Sequence, residues 1–453
     1  MNFSLADVAA AAGARAEGAA ELSGVAVDSR QVRPGDLFVA IRGARVDGHD
    51  YARDAMARGA KALLGERRPA ALPPEFPAVL APQPEAALLR LGAAAKQAAG
   101  FRLAAITGSA GKTTTKDFTA AILARRFRVE KTPGSQNSQI GFPMSVMNLP
   151  RRPEWMVGEM GMSEPGNLAT LSRAFQPAVA AILLVAAAHL QYFASVEAIA
   201  DAKAEILEGL EPGGTFVANA DDPRVAAIAA RHRGRVVRFG RGAGADVTAR
   251  DVASEGAGSR FVLATPEGEA PVRLPLPGSH QVSNFLAAAA IGYAVGVPPS
   301  ECAAASETLT PAAHRGELKR HASGALLYDD AYNANPASMR AALETLAGLP
   351  ARRRIAVLGD MLELGPEEER LHREVGAAAA RVDLLVGVGP RARALAEAAV
   401  AAGLSPSAVR LVGSADEAAD ALAGILASGD AVLFKASHSV GLDRAVDRLA
   451  GEG

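Results

Sequence analysis

The chain has 453 residues, with 48 Lys+Arg against 49 Asp+Glu and a formal net charge of −1. That balance gives no basic field and argues against a nucleic-acid partner. A single cysteine, Cys302, excludes an internal disulfide and a cysteine metal cluster, in keeping with a reducing cytoplasm.

Hydrophobic residues make up 49% of the chain and aromatics only 4%, so its cores must be built from small and branched aliphatic side chains. The length suggests about three domains. The stretch Met1 to Asp7 lacks a basic segment followed by an apolar core, so no signal peptide is expected. The longest apolar run, Ala178 to Ala188, is too short to span a bilayer, and no integral membrane segment is expected.

Residues 1–84 read as a small α/β unit. Ser4 with Asp7 marks a helix start, and Leu5, Val8 and Ala9 share one face. Val25-Ala26-Val27 reads as a strand ending at Asp28-Ser29-Arg30. Leu37 to Ile41 reads as a second strand, and Asp47-Gly48-His49-Asp50 precedes a helix from Tyr51 to Arg58. Ser29 and Arg30 at a strand end suit a phosphate, although such a tripeptide is more often a plain loop. Asp47 and His49 read on their own as a helix cap. The Pro/Ala-rich stretch from Arg68 to Glu85 reads as a linker, followed by a helix from Pro84 to Ala99.

The central block, residues 85–309, is organised around Gly108-Ser109-Ala110-Gly111-Lys112-Thr113-Thr114. It follows the apolar strand Leu103 to Ile106 and precedes a helix through Phe118 and Ile122. Strand, glycine turn and helix form the setting of a phosphate-binding loop. The glycines admit phosphate oxygens close to the backbone, and the helix start offers free N–H groups to the anion. Lys112 adds positive charge, and the Thr113 hydroxyl suits a magnesium ion. Only two residues separate the glycines, so this is the short variant of the motif.

Apolar strands alternate with helical patterns through this block, the signature of a doubly wound, mainly parallel sheet. Glu159 ends the strand Trp155 to Glu159, and His189 follows the run Ala178 to Ala188. Ligands of such sheets bind at the carboxyl ends of strands, so these two residues suggest a divalent-metal site. Lys203 reads, taken alone, as a solvated lysine on a helix face. His280 and Asn284 share a helix face if the helix after Pro277 starts early.

Residues 310–453 again alternate strand and helix, as a second nucleotide-binding-like α/β domain of Rossmann type. Its strands are Ala325 to Tyr328, Arg354 to Leu358, Leu384 to Gly389 and Ala431 to Lys435. A helix runs from Ala337 to Leu346 after Asn335-Pro336.

At these residues the chain resembles the Mur ligases, the ATP-dependent amide ligases of peptidoglycan precursor synthesis. The resemblance spans nearly the whole length. It runs through Asp28-Ser29-Arg30, Asp47-Gly48-His49, the Gly108 loop, Ala188-His189-Leu190 and Ala202-Lys203-Ala204-Glu205. It continues through Leu276-Pro277-Gly278, Tyr332-Asn333-Ala334-Asn335-Pro336, Gly359-Asp360-Met361-Leu362-Glu363-Leu364-Gly365 and Leu371-His372-Arg373-Glu374. The Tyr332-Asn333-Ala334-Asn335-Pro336 and Gly359-Asp360-Met361-Leu362-Glu363-Leu364-Gly365 stretches most resemble the branch that adds D-alanyl-D-alanine to UDP-N-acetylmuramoyl-tripeptide.

The resemblance implies an α/β fold of three domains, with a central doubly wound P-loop ATPase domain and a C-terminal Rossmann-like domain. It implies that Lys112 and the loop amides hold ATP. Thr113, Glu159 and His189 would bind magnesium, in two ions, and Lys203 would join them as a carbamylated lysine. Asn284 and Arg315 would contact the nucleotide, and Asp330, Tyr332, Asn333 and Asn335 would close over ribose and adenine. Ser29, Arg30, Asp47 and His49 would touch the UDP-sugar, with Asn137 among the substrate residues. The substrates are small molecules, and the chain is taken as a monomer.

This sequence departs from the family pattern at several places. Leu183, Leu184 and Ala186 replace Thr, Asn and Gly before the histidine. Ala110 replaces Asn in the loop, Gln139 replaces Glu, and Ser163-Glu164 replaces Asn-His. Ala436 and His438 stand where Gly and Arg are usual. Three further readings stay open: a paralogue with another acceptor, a weakly active precursor-binding homologue, and a P-loop NTPase that drives motion. The last would call for a Walker-B aspartate, where this chain has Glu159.

Overall fold

A computed structural model describes residues 2–43 and 45–451; Met1, which opens the stretch read for a signal peptide, lies outside the described residues with Ala44, Glu452 and Gly453. The chain divides into two compact units. One is Met1–Thr107 with Arg126–Ala180 and Glu205–Thr215, and the other is Gly108–Arg125 with Ala181–Ala204 and Phe216–Gly453. Among the described residues, no helix is long and apolar enough to cross a membrane.

In the first unit, Ser4 caps the helix Leu5–Ala12 through a capping box with Asp7, and Gly13 ends it in the left-handed conformation. Leu5, Val8 and Ala9 are the buried face, as their spacing predicts. A five-stranded sheet follows in the order Ala16–Glu17, Ala78–Leu80, Ala62–Gly65, Asp36–Val39, Gly24–Ala26. The stretch expected to be a linker therefore holds a strand. Ala78–Leu80 pairs in parallel with Ala62–Gly65, and Arg68 bonds the carbonyls of Pro73 and Phe76. The helix Pro84–Ala99 starts with Pro at its first turn and stops at Gly100, matching its expected bounds. The Asn148 amide bonds both N and O of Val25, 123 residues away, and ties the end of the helix Gly141–Met147 to this sheet.

The central sheet has the order Arg235–Phe239, Thr215–Asn219, Val179–Ile182, Arg102–Thr107, Trp155–Glu159, Val129–Lys131. Beside it runs an antiparallel sheet of Thr248–Glu255, Gly258–Thr265 and Gly268–Leu274, which the strand–helix reading missed. Its sequence signal is alternation in Gly268–Leu274, where Ala270, Val272 and Leu274 are buried between Glu269, Pro271 and Arg273.

In the second unit, the C-terminal sheet has the order Glu317–Arg320, Leu326–Asp329, Asp430–Lys435, Arg353–Gly359, Leu384–Val388, Val409–Val412. All its pairs are parallel except the first. Alternate residues feed opposite cores. Ala356, Leu358 and Leu433 pack with Met339, Leu346 and Val375 on one face. Ile355, Val357 and Phe434 pack with Ala418, Leu422 and Val446 on the other. Helices on both faces of a mostly parallel sheet make it doubly wound.

Candidate active site

The phosphate-loop helix Lys112–Leu123 begins at Gly111, which has φ +83° and makes no side-chain cap, and a helix start of this kind suits an anion. Gly111 is required for a second reason: a Cβ there would collide with Asn284 Oδ1. At Gly108 a Cβ would lie 2.9 Å from the Leu183 Cβ. The loop is pinned on two sides. Ser109 N donates to Leu184 O at 2.9 Å, and Ser109 Oγ bonds both N and O of Ala186. Asn335 Nδ2 donates to Ser109 O at 3.0 Å, while its Oδ1 caps the helix Pro336–Gly348 through Ser338 N. The amide of Asn335 thus joins its own helix to the loop. Lys112 Nζ donates to Gly108 O at 2.9 Å, and Thr113 and Thr114 are buried. Asn284 lies on the helix Ser279–Ala294, which starts early enough to carry His280 one turn before it.

The strand before His189 stops at Ile182, so residues 183–188 are irregular rather than a strand end. What they contribute is backbone: Leu183 O accepts from Asn219 Nδ2, and Val185 N donates to Asp222 Oδ2. This explains how the segment keeps its course with Leu183, Leu184 and Ala186 in unusual places. His189 has φ +59°, and its Nδ1 is 2.6 Å from Glu363 Oε2. With a carboxylate at Nδ1, that nitrogen carries the proton and Nε2 keeps its lone pair. Burial lowers the His189 pKa; Glu363 opposes this, and Lys112 and Lys203 add to it.

Lys203 ends the helix Val196–Ala204 and is only 2% exposed, so it is not a solvated lysine. The spacing allowed either face, and the folded chain turns this one inward. Burial, and then the charge of Lys112, hold its ammonium well below the usual lysine pKa. Among the described residues no hydrogen bond or ion pair reaches its Nζ.

The remaining nucleotide candidates cluster in the C-terminal block. Asp330 Oδ2 lies 2.5 Å from Lys435 Nζ, which also reaches Asn333 O at 2.9 Å. The Arg315 guanidinium sits 3.8 Å over the Tyr332 ring, and His438 stacks on Tyr332 with centroids 5.2 Å apart. His314, Asp329 and Asp447 converge as metal ligands might, but Lys319 Nζ already lies 2.9 Å from both aspartates.

The sugar-side candidates belong to the first unit. Ser29 is buried in the turn Ser29–Gln31, while Arg30 is exposed and bonds Asp28. His49 is 1% exposed, and both ring nitrogens are used: Nδ1 on Asp47 at 2.6 Å and Nε2 accepting from Glu66 N at 3.0 Å. Asp47 also accepts from His49 N and Arg67. These two residues therefore act as the cap their sequence suggested. Asn137 Nδ2 donates to Glu159 Oε1 at 2.6 Å, and a Cβ on Gly161 would lie 2.8 Å from Asn137. Glu159 is 1% exposed at the end of its strand. This link between Asn137 and Glu159 was not visible in the sequence, nor were the partners of Lys435 and His189.

Family profiles match along the chain: "Mur ligase family, catalytic domain" over residues 21–102, "Mur ligase middle domain" over 106–292 and "Mur ligase, glutamate ligase domain" over 314–438. A curated relative from Mycobacterium bovis, UDP-N-acetylmuramoyl-tripeptide--D-alanyl-D-alanine ligase, is 39% identical over 94% of this chain and 92% of its own length. The chain belongs to the Mur ligase family. Its fold matches a crystal structure of MurF from Acinetobacter baumannii with TM-score 0.90 and 30% identity, covering 100% of this chain and 99% of that one. MurF from Thermotoga maritima in complex with ADP matches with TM-score 0.84 and 28% identity, over 95% and 97% of the two chains. The three-domain α/β architecture of Mur ligases is thus the architecture of this chain.

The residues of this Mur ligase fit a magnesium-bound nucleotide. Burial and then the charge of Lys112 disfavour the Lys203 ammonium, and among the described residues no acceptor meets it, an arrangement that suits added anionic charge. The Thr113 hydroxyl offers the oxygen donor that magnesium prefers, and His189 Nε2 offers a nitrogen lone pair.

Proposed function

We propose that this Mur ligase joins D-alanyl-D-alanine to UDP-N-acetylmuramoyl-tripeptide using ATP, giving ADP, phosphate and the UDP-muramoyl-pentapeptide. The substrates are carried over from the Mycobacterium bovis relative, which aligns over nearly the full length of both chains. The observation that carries the chemistry is the phosphate loop itself, pinned by Ser109 to Ala186 and by Asn335 to Ser109 O, with Lys112 Nζ on Gly108 O.

A carboxylate is a poor acyl donor. The terminal carboxylate of the tripeptide attacks the γ-phosphorus of ATP, the bond to the bridging oxygen breaks, and ADP leaves. The product is an acyl phosphate. The neutral amine of the dipeptide then attacks the acyl carbon, phosphate departs, and the amine proton passes to solvent. Lys112 and the loop amides, held by Ser109 and Asn335, stabilise charge on the transferring phosphoryl group. Bound magnesium would supply further charge stabilisation there. Thr113, His189 and Lys203 would hold it, with Glu159 assigned to the same set on its place at a strand end. The Lys203 amine, whose charged form burial disfavours, would in its neutral form add carbon dioxide and lose a proton to become a carbamate ligand. Arg315, Tyr332, Asn333 and Asp330 would receive the ribose and adenine, and Ser29, Arg30 and Asp47 the UDP-sugar. We take the enzyme to act as a monomer in the cytoplasm.

A second reading, ligation of a different amine, is favoured by His438, which occupies an arginine position of the family and stacks on Tyr332. A phosphate-release assay with UDP-muramoyl-tripeptide and a panel of amines separates the two. Release that needs both substrates and is fastest with D-alanyl-D-alanine is expected. Faster release with another amine would support the second reading. Release that needs neither substrate would contradict both.

A further inference from the structure

The geometry points to Glu363 as a positioning residue: carried by the C-terminal block, it fixes the His189 ring so that Nε2 is presented as a ligand to the divalent cation of the nucleotide site. This rests on the proposed ATP-dependent function.

Glu363 sits in a turn that is nailed down around it. The Asp360 carboxylate accepts from the backbone N–H groups of Arg391 and Ala392 at 3.0 and 3.2 Å. Met361 N donates to His372 Nε2 at 3.0 Å, and the other His372 nitrogen bonds Glu368 O. Leu362 N donates to Ser437 Oγ at 2.9 Å, and Ser437 N returns a bond to Asp360 O. Every residue just before Glu363 is thus held by a different part of the block. Glu363 itself turns outward, half exposed, with φ +63°.

What this rigid turn meets is the His189 segment. Glu363 O accepts from Gln191 N at 3.0 Å, and its carboxylate reaches His189 Nδ1. Gly365 packs so closely on Leu190 and Gln191 that a Cβ would lie 3.1 Å from Leu190 O. His189 and Glu363 are both non-glycine residues in the left-handed region, facing each other. Such conformations are strained and persist where the surroundings over-determine them.

Two fully buried histidines make a contrast with the partly exposed His189. His49 and His372 spend both ring nitrogens on protein partners. His189 spends one, and among the described residues nothing occupies Nε2. A carboxylate behind a ligating histidine fixes its tautomer and ring plane, and such a partner typically accounts for about 10–100-fold in metal affinity. Because the ligand and its orienter lie 174 residues apart, the ring is set only while the two segments touch.

The test counts Mn2+ bound to the full chain with a non-hydrolysable ATP analogue, by the electron paramagnetic resonance of free Mn2+. Wild type is expected to bind two ions. Glu363→Ala should weaken one of them by about 10–100-fold and leave the other unchanged. Glu363→Gln keeps an oxygen for Nδ1–H and should stay close to wild type. Glu363→Asp is too short to reach and should behave like alanine, which keeps the test decisive if the alanine variant folds poorly. In turnover, Glu363→Ala should raise the KM for Mg2+ and leave that for the UDP-peptide unchanged. Two tightly bound ions in both Glu363→Ala and Glu363→Asp would overturn the proposal, as would a glutamine variant as weak as alanine. Wild type that binds no ion with the analogue would instead overturn the nucleotide reading beneath it.

Discussion

Two lysines of the same unit are equally buried and oppositely furnished. Lys435, 3% exposed, is met by Asp330 Oδ2, Asp330 O and Asn333 O. Lys203, 2% exposed, meets no acceptor among the described residues and faces the charge of Lys112. A buried ammonium without partners costs several kcal/mol and gives up its proton instead. Lys435 is therefore a paired cation that braces the turn before Asn335. Lys203 is held where burial disfavours its charged form, with no acceptor for it among the described residues. Burial alone does not separate the two; the acceptors do.

The largest effect expected is at the charge that Lys203 faces. Lys112→Ala should lower turnover by about 100–1,000-fold, the loss typical of a preorganised charge on a developing anion. Steady-state phosphate release measures it, and near-normal turnover would remove the loop from the chemistry.

Next comes Lys203→Ala. If the side chain works as a carbamate, activity should fall to a small residue and recover partly with added acetate or formate. A fully active alanine variant would reduce Lys203 to a buried curiosity and erase its contrast with Lys435.

Stability should then sort the pair in the opposite order. Lys435→Met leaves the Asp330 carboxylate without its partner and should cost about 3 kcal/mol in denaturant unfolding. Lys203→Met removes an unpaired polar group from the interior and should be neutral or stabilising. Equal losses at both positions would break the comparison.

The smallest effect concerns pH around Lys435. His280 is pushed below its ordinary pKa of 6.5 by burial, with Asp330 opposing and Lys435 adding to the shift. Below 6.5 the unfolded chain binds the proton that the folded chain resists, so this contribution to stability falls as pH drops. Replacing His280 by Gln should flatten the acid side of the stability curve relative to wild type. An unchanged acid slope would mean that His280 is not held neutral.

The contrast between the lysines also shows where reading the sequence stops. The phosphate loop was plain because its glycines, Lys112 and threonines are local. The helix Pro84–Ala99 was plain because proline and Gly100 mark its ends. Ala78–Leu80 was hidden among prolines, since only pairing with Ala62–Gly65 makes it a strand. The inward face of Lys203 depends on what packs against its helix, which spacing does not tell. The Asn137–Glu159 and His189–Glu363 contacts join residues 22 and 174 positions apart, and no local pattern encodes them. His49 carried the family's motif, and what the motif did not show is that its buried ring bonds both Asp47 and, 17 residues on, Glu66 N.

The most direct test of the central claim follows oxygen. UDP-muramoyl-tripeptide labelled with 18O in its terminal carboxylate is turned over with ATP and D-alanyl-D-alanine, and the released phosphate is analysed by mass spectrometry. An acyl-phosphate route carries one labelled oxygen into each phosphate and forms one pentapeptide with it. Unlabelled phosphate, or labelled phosphate without the pentapeptide, would contradict the account.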